Sequence, residues 1–164
     1  DGKMVSSTRI RALIAEGRLD LVNQYLKWPL DYTGIVAYGE QRGRKLGFPT
    51  ANISLDDSYA LLPNGVYAVR VHFDDAFYPG VANIGSNPTF EEVERRLEVH
   101  LMQFDGNLYG KEIRVDFLGR LRDEEKFPDV DTLVAQIHRD IERARHFWDV
   151  PIPAGGVPYV ETQS

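Results

Sequence analysis

A chain of 164 residues that is 43% hydrophobic and 27% charged suits one globular domain with short appendages. Its formal net charge of −6 argues against a nucleic-acid partner, whose sequence-independent affinity comes from Lys and Arg, and no apolar run approaches the roughly 20 residues that span a bilayer, so no membrane partner is expected either. The absence of cysteine excludes disulfides, thiol chemistry and Cys-based zinc sites, and it is compatible with the cytoplasmic location expected here.

In chain order, Asp1 to Ser7 lacks the basic-then-apolar pattern of a signal peptide. With Met4 inside it and no initiator position, it reads as the cut edge of a longer chain. Ser6-Ser7-Thr8 ahead of Ile10, Leu13 and Ile14, with Gly17 behind, predicts a capped helix with a glycine stop. A second short helix is predicted from Leu19 to Leu26, closed by Pro29. Two helices of this size cannot form a core alone and must pack on something, here or in residues beyond this chain.

From Tyr32 the texture changes, and fourteen glycines and nine prolines favour strands over a helical bundle. Strands are predicted at Tyr32 to Gly39 and, briefly, at Thr50 to Ile53. Asn64-Gly65 is a turn signal. After it Tyr67, Val69, Val71 and Phe73 alternate with polar or small residues, and Phe77 to Ile84 pairs back around Asp74-Asp75. Leu97, Val99 and Leu101 mark one further strand, and Ile113, Val115 and Phe117 another, with Asp105-Gly106-Asn107 as a turn between them. Leu133, Val134, Ile137, Ile141 and Ala144 then form a helical stripe capped by Asp129 or Asp131. About six hairpin-spaced strands followed by one helix predict a mainly β fold, a closed or nearly closed antiparallel barrel with the helix laid against it. The stretch from Pro151 to Ser164 reads as a loosely held tail.

Known signatures are few. The sequence contains no phosphate loop of the G-x-x-x-x-G-K-[ST] type, no dinucleotide fingerprint and no nucleophile elbow. His72, His100, His138 and His146 have no metal-ligand spacing, so each reads as a surface or strand histidine. The loop Gly39 to Gly47 mixes three glycines with Arg42, Arg44 and Lys45, a composition suited to a phosphate ligand. Composition alone favours a solvated hairpin loop there. Thr50 and Asn52, two apart in an extended stretch, place two hard oxygen donors on one face, which suits Mg²⁺; a local Pro-Thr turn is the alternative. Glu98 interrupts an apolar strand. Alternation places it outward, where it is either a solvated strand residue or a carboxylate that takes a proton from an attacking hydroxyl.

Five motifs in order, YTGIVAYGEQRGRKLGFPTANI, NGVYAVRV, VANIGSNPTF, LEVHLMQFDGNLYGKEIRVDF and LRDEEKF, resemble the riboflavin kinase family over about Asp31 to Trp148. VSSTRIRALIAEG at Val5 to Gly17 resembles the end of the adenylyltransferase domain that precedes the kinase in bacterial bifunctional riboflavin kinase/FAD synthetases. The resemblance implies a six-stranded antiparallel barrel of Greek-key type with a C-terminal helix. It divides the chain into a helical remnant of that preceding domain at 1–29, a kinase barrel at 30–150 and a tail at 151–164. It implies riboflavin and ATP as substrates and FMN and ADP as products, with Mg²⁺ accompanying ATP. The roles it implies are Thr50 and Asn52 on Mg²⁺ and ATP, Gly39, Arg44 and Tyr109 on the nucleotide, Glu98 as general base, and Arg122, Lys126 and Phe127 on the flavin. With the rest of the adenylyltransferase domain absent, this chain is not expected to make FAD. A flavin-binding barrel without catalysis, or an assembly module of a longer enzyme, are the other readings.

Overall fold

The structure is a computed structural model and describes residues 7–37, 50–54, 60–88, 93–104 and 106–149. Period-two alternation produces six strands: β1 (Leu30–Ala37), β2 (Thr50–Ser54), β3 (Gly65–Phe73), β4 (Ala76–Pro88), β5 (Val93–Leu101) and β6 (Glu112–Arg122). Every neighbouring pair is antiparallel, and the sheet closes into the expected barrel in the order β1-β2-β5-β4-β3-β6. The consecutive strands β3, β4 and β5 lie side by side and β2 returns beside β5, which is the strand order of a Greek key. The β3–β4 hairpin turns on Asp74 and Asp75, both in the left-handed region at φ 51° and 61°. Asp tolerates that region, and two such residues match the twist of the flanking strands. Asn64-Gly65, a turn signal in the sequence, instead forms the entry to β3. Gly65 already pairs with Ile84, and the Asn64 side chain is held by Ser86 (2.8 Å) and Arg95 (3.1 Å).

The inward positions of the described strands pack into one buried cluster. Phe117 meets Tyr32 and Tyr67 edge-on at centroid distances of 5.4 and 5.3 Å. Each tyrosine hydroxyl has a partner at the barrel's end: Tyr32 donates to the Ala60 carbonyl (2.6 Å) and Tyr67 to that of Pro63 (2.6 Å). A buried hydroxyl without such a partner would cost about 1–3 kcal/mol.

The two short helices, α1 (Ser7–Ala15) and α2 (Leu19–Leu26), find their packing partner in this chain. Leu13, Ile14, Leu19 and Val22 belong to the same buried cluster as Tyr32, Leu62 and Phe117. Gly17 at φ 77° ends α1, as its position predicted. Asn23 fastens α2 to the sheet, donating to the Phe117 carbonyl (2.9 Å) and accepting from the Leu30 amide (2.7 Å). α2 ends before Pro29, on Lys27 at φ 65°.

The C-terminal helix α3 (Val130–Trp148) is capped by Asp129, whose carboxylate accepts from the Thr132 amide at 2.7 Å. It covers the outer face of β3, β4 and β6. Ile137, Ile141 and Ala144 bury against Val66, Ala68, Val81 and Leu121 in a second apolar cluster outside the barrel. Each large side chain so buried contributes about 1.5–3 kcal/mol. The helix's last turn seats on glycine. The Phe147 ring occupies the space a Cβ on Gly119 would need, and Trp148 Nε1 donates to the Gly80 carbonyl at 3.1 Å.

On the neighbouring outer face, Asp31 of β1 sits opposite the buried Asp116 of β6. Arg114 chelates Asp116 through Nε (2.9 Å) and a terminal nitrogen (3.4 Å), yet burial still pushes Asp116 up to about 6.

Gly119→Ala is expected to lift the Phe147 ring and lower unfolding free energy by about 1–3 kcal/mol, read by urea denaturation. For Asp116 the unfolded carboxyl ionises near 4 and the folded one near 6. Stability from this group is therefore full below about pH 4 and falls by on the order of 2–3 kcal/mol as pH rises to about 6. The melting temperature of wild type relative to Asp116→Asn is expected to decline across that window and to level off above it.

Candidate functional site

The candidate side chains of β5 and its neighbours lie on the barrel's outer surface, and the sheet register decides which of them meet. In β5, Leu97, Val99 and Leu101 point inward, so Glu98 and His100 point outward. Glu98 is directly opposite Asn52 of β2 on one side and Asn83 of β4 on the other. Opposed residues in an antiparallel ladder share a face, so Asn52, Glu98 and Asn83 form one transverse polar row. Thr50 and Val81 flank His100 in the next row. Asn83 Oδ1 is buried and has no hydrogen-bond partner among the described residues, an acceptor available to a ligand's donor or cation.

The N-terminal half of α3 stands off from this part of the sheet. A cavity of about 270 Å³ lies between that half-helix, the segment following β6, and strands β4 and β5. Asn83, Glu98, His100, Arg122, Lys126 and Phe127 line it. Arg122 ends β6 and reaches α3, donating from Nε and a terminal nitrogen to the two oxygens of Asp140 at 2.8 and 2.9 Å. Gln136 Nε2 also donates to Asp140 at 2.9 Å. The pair is well shielded, with side-chain exposures of 15% for Arg122 and 2% for Asp140. The same guanidinium lies 5.6 Å from the Phe127 ring centre, so the ion pair also fixes an aromatic–cation wall.

His100 is buried beside this pair, its Nε2 3.6 Å from Glu98 Oε1. Burial lowers its pKa to about 4, against the opposing pull of Asp140. The ring is therefore neutral at neutral pH, and the contact with Glu98 is not an ion pair.

Four residues singled out in the sequence, Glu98, Arg122, Lys126 and Phe127, thus line one cavity, and Asn52 adjoins Glu98 by register. Thr50 is placed opposite His100 by its backbone. Tyr109 is not among the lining residues. It is 55% exposed, on a turn where its amide donates to Asn107 Oδ1 (2.9 Å) and the next amide, of Gly110, bonds to the Val36 carbonyl (2.9 Å). Gly39 and Arg44, with their loop, lie outside the described residues, as does the tail from Pro151. His100 is a strand histidine, one of the two expectations, and it is buried at the wall of the cavity. Asn83, Asp140 and Gln136 carried no signal in the sequence, because outward polar positions look alike until the helix that covers them is placed. No cluster of three or more His, Cys, Asp or Glu suited to a metal occurs among the described residues, so a metal here would rest on neutral hard oxygens. Also among the described residues, no helix is long and apolar enough to cross a membrane.

Chemically, the cavity offers a carboxylate to a hydroxyl proton, amide groups on both sides of it, and a flat wall to a planar ring. Comparisons with known proteins bear on the family. Residues 26–148 match the family model described as Flavokinase: Riboflavin kinase. The chain is 40% identical over 149 residues to a bifunctional riboflavin kinase/FMN adenylyltransferase of Bacillus subtilis, covering 89% of this chain and 47% of that protein. The namesake from Escherichia coli K12 is 40% identical over 154 residues, covering 93% and 49%. The chain thus spans about half the length of the curated relatives it matches. Among solved structures, riboflavin kinase from Trypanosoma brucei matches with a TM-score of 0.56 and 28% identity, over 76% of this chain and 82% of that one. A structure named as a macrolide-efflux protein from Streptococcus pneumoniae matches with a TM-score of 0.81 and 41% identity, over 88% and 47%.

Removing one member of a shielded ion pair strands the other. Asp140→Ala is expected to cost about 3–5 kcal/mol in urea denaturation, and replacing both partners by apolar residues (Arg122→Met with Asp140→Leu) is expected to cost less than either single change.

Proposed function

The chain belongs to the riboflavin kinase family, and from that premise we propose that it transfers the γ-phosphoryl group of ATP to the ribityl 5′-hydroxyl of riboflavin, giving FMN and ADP, with Glu98 as the general base. The observation that carries this reading is the register row Asn52–Glu98–Asn83 at the wall of the cavity. It sets one carboxylate between two neutral amides, next to a wall built from Phe127 and Arg122.

The isoalloxazine ring, large, planar and largely apolar, lies against Phe127 and Arg122, with Lys126 at the rim. Its ribityl chain runs to Glu98, where Asn83 Oδ1 accepts from a hydroxyl. As the 5′-oxygen attacks the γ-phosphorus, its proton passes to Glu98. The new O–P bond forms as the bond to the β,γ-bridging oxygen breaks, and ADP departs with that electron pair. A modest base suffices, because phosphoryl transfer depends mainly on positioning and on neutralising phosphate charge. Thr50 and Asn52 are the residues that would hold Mg²⁺. The hard amide oxygen of Asn52 beside the Glu98 carboxylate fits such an ion, which when bound neutralises charge on the phosphate oxygens. Gly39, Arg44 and Tyr109 complete the nucleotide side. We place the nucleotide on the β2 side of Glu98 and the flavin on the α3 side.

Residues 1–29 belong, on the same reading, to the end of a preceding adenylyltransferase domain. A cytoplasmic location accords with ATP as co-substrate.

The test is FMN formation from riboflavin and Mg-ATP. Wild type turns over, and Glu98→Ala loses a factor of about 10² or more in kcat while still binding riboflavin. A wild-type chain that binds riboflavin yet forms no FMN would make it a binding barrel instead, and near-normal turnover by Glu98→Ala would remove Glu98 from the mechanism.

A further inference from the structure

We infer that His100 is a positioning residue for Glu98: its imidazole, on the cavity wall formed by β5 and facing α3, orients the carboxylate and links it to the Arg122–Asp140 pair. The inference deepens the kinase reading above and rests on it for the role of Glu98. Three observations converge. His100 and Glu98 are alternate residues on the same outward face of β5, with Nε2 3.6 Å from Oε1. That is just beyond hydrogen-bond length, a separation that commonly tightens when a substrate closes a site. His100 and Asp140 line the same cavity from opposite walls, and Asp140 exerts an electrostatic pull on the ring. Arg122 in turn chelates Asp140 and faces Phe127, so the flavin wall, the helix and the carboxylate form one connected set.

The protonation state matters to the chemistry. An imidazolium beside Glu98 would stabilise the carboxylate's charge and weaken it as a base. A neutral ring can donate one N–H to the carboxylate, fixing its orientation while leaving it basic. Burial keeps the ring neutral, and pairing of Asp140 with Arg122 limits the charge that would otherwise draw a proton onto it. The charged groups around the ring are Arg96 and Glu98 on β5, Arg122, Glu124, Glu125 and Lys126 at and after the end of β6, and Asp140 on α3; its β4 neighbour Val81 is apolar.

The experiment compares wild type, His100→Gln and His100→Leu. Gln retains an N–H donor near the position of Nε2, and Leu retains bulk alone. Leu is expected to lower kcat about 10-fold or more with riboflavin KM within about 3-fold of wild type, and Gln to recover most of the loss. Circular dichroism melts confirm that each variant is folded. Equal losses in Gln and Leu, or no loss in either, would overturn the inference. A second readout does not depend on turnover. ¹⁵N NMR of the wild-type imidazole is expected to show the neutral Nε2–H tautomer at pH 7, with an Nε2 signal that shifts in Glu98→Gln. A protonated ring, the other tautomer or an unshifted signal contradicts it. If wild type forms no FMN, the kinase reading fails on its own, and the NMR arm still decides whether His100 and Glu98 are coupled.

Discussion

The ion pair between Arg122 and Asp140 is the contact on which the arrangement of the site depends. It joins the last residue of the barrel sheet to the middle of the only helix that covers the sheet's outer face at this point among the described residues. Apolar packing alone would let α3 settle flush on β4 and β5, since hydrophobic contact is non-directional. A bidentate guanidinium–carboxylate pair has a fixed length and plane. It sets the standoff between helix and sheet that leaves a cavity, and it holds the guanidinium over Phe127. Burying such a pair carries a desolvation cost that a hydrophobic contact of similar volume would not. Its retention here is explained by geometry rather than by stability.

Barrel closure supplies the complementary constraint. The inner faces of the described strands are packed with Tyr32, Tyr67, Phe117 and aliphatic side chains. Chemistry is displaced to the outside, where a row of residues across strands is as rigid as the ladder itself. The Greek-key return of β2 beside β5 is what brings Asn52 next to Glu98. An up-and-down order would pair β2 with β3 and separate the residue proposed for Mg-ATP from the proposed base. Topology thereby connects the nucleotide half of the site to the hydroxyl half, roughly fifty residues apart in sequence.

Much of this was legible in the sequence. Alternation at Tyr67 to Phe73 and at Leu97 to Leu101 marks strands because one face of each must be apolar, and Asp129 marks a helix start because an N-cap needs an acceptor. Glu98 stood out locally as a carboxylate in an apolar strand, Arg122, Lys126 and Phe127 were identified by motif order rather than by any local physical signal, and the cavity unites the four. His100, Asn83 and Asp140 were not legible as site residues. Each is a polar residue at an outward position, and period-two or period-3.6 patterning treats such a position as solvated. Only tertiary placement of α3 turns that outward face into a buried one. The Asn64-Gly65 turn signal precedes β3, and what the sequence did not show is that long-range partners, Ser86 and Arg95, hold the asparagine side chain.

The central claim is that the flavin is held on the outer face beneath the N-terminal half of α3. The most direct measurement is backbone amide NMR of the folded chain during titration with riboflavin. The account predicts shift changes concentrated at Asn83, Glu98, His100, Arg122 to Phe127 and the Leu133–Ile137 turn of α3. Changes concentrated instead around Asp31, Arg114 and Asp116, on the outer face that carries the buried Asp116, would contradict it.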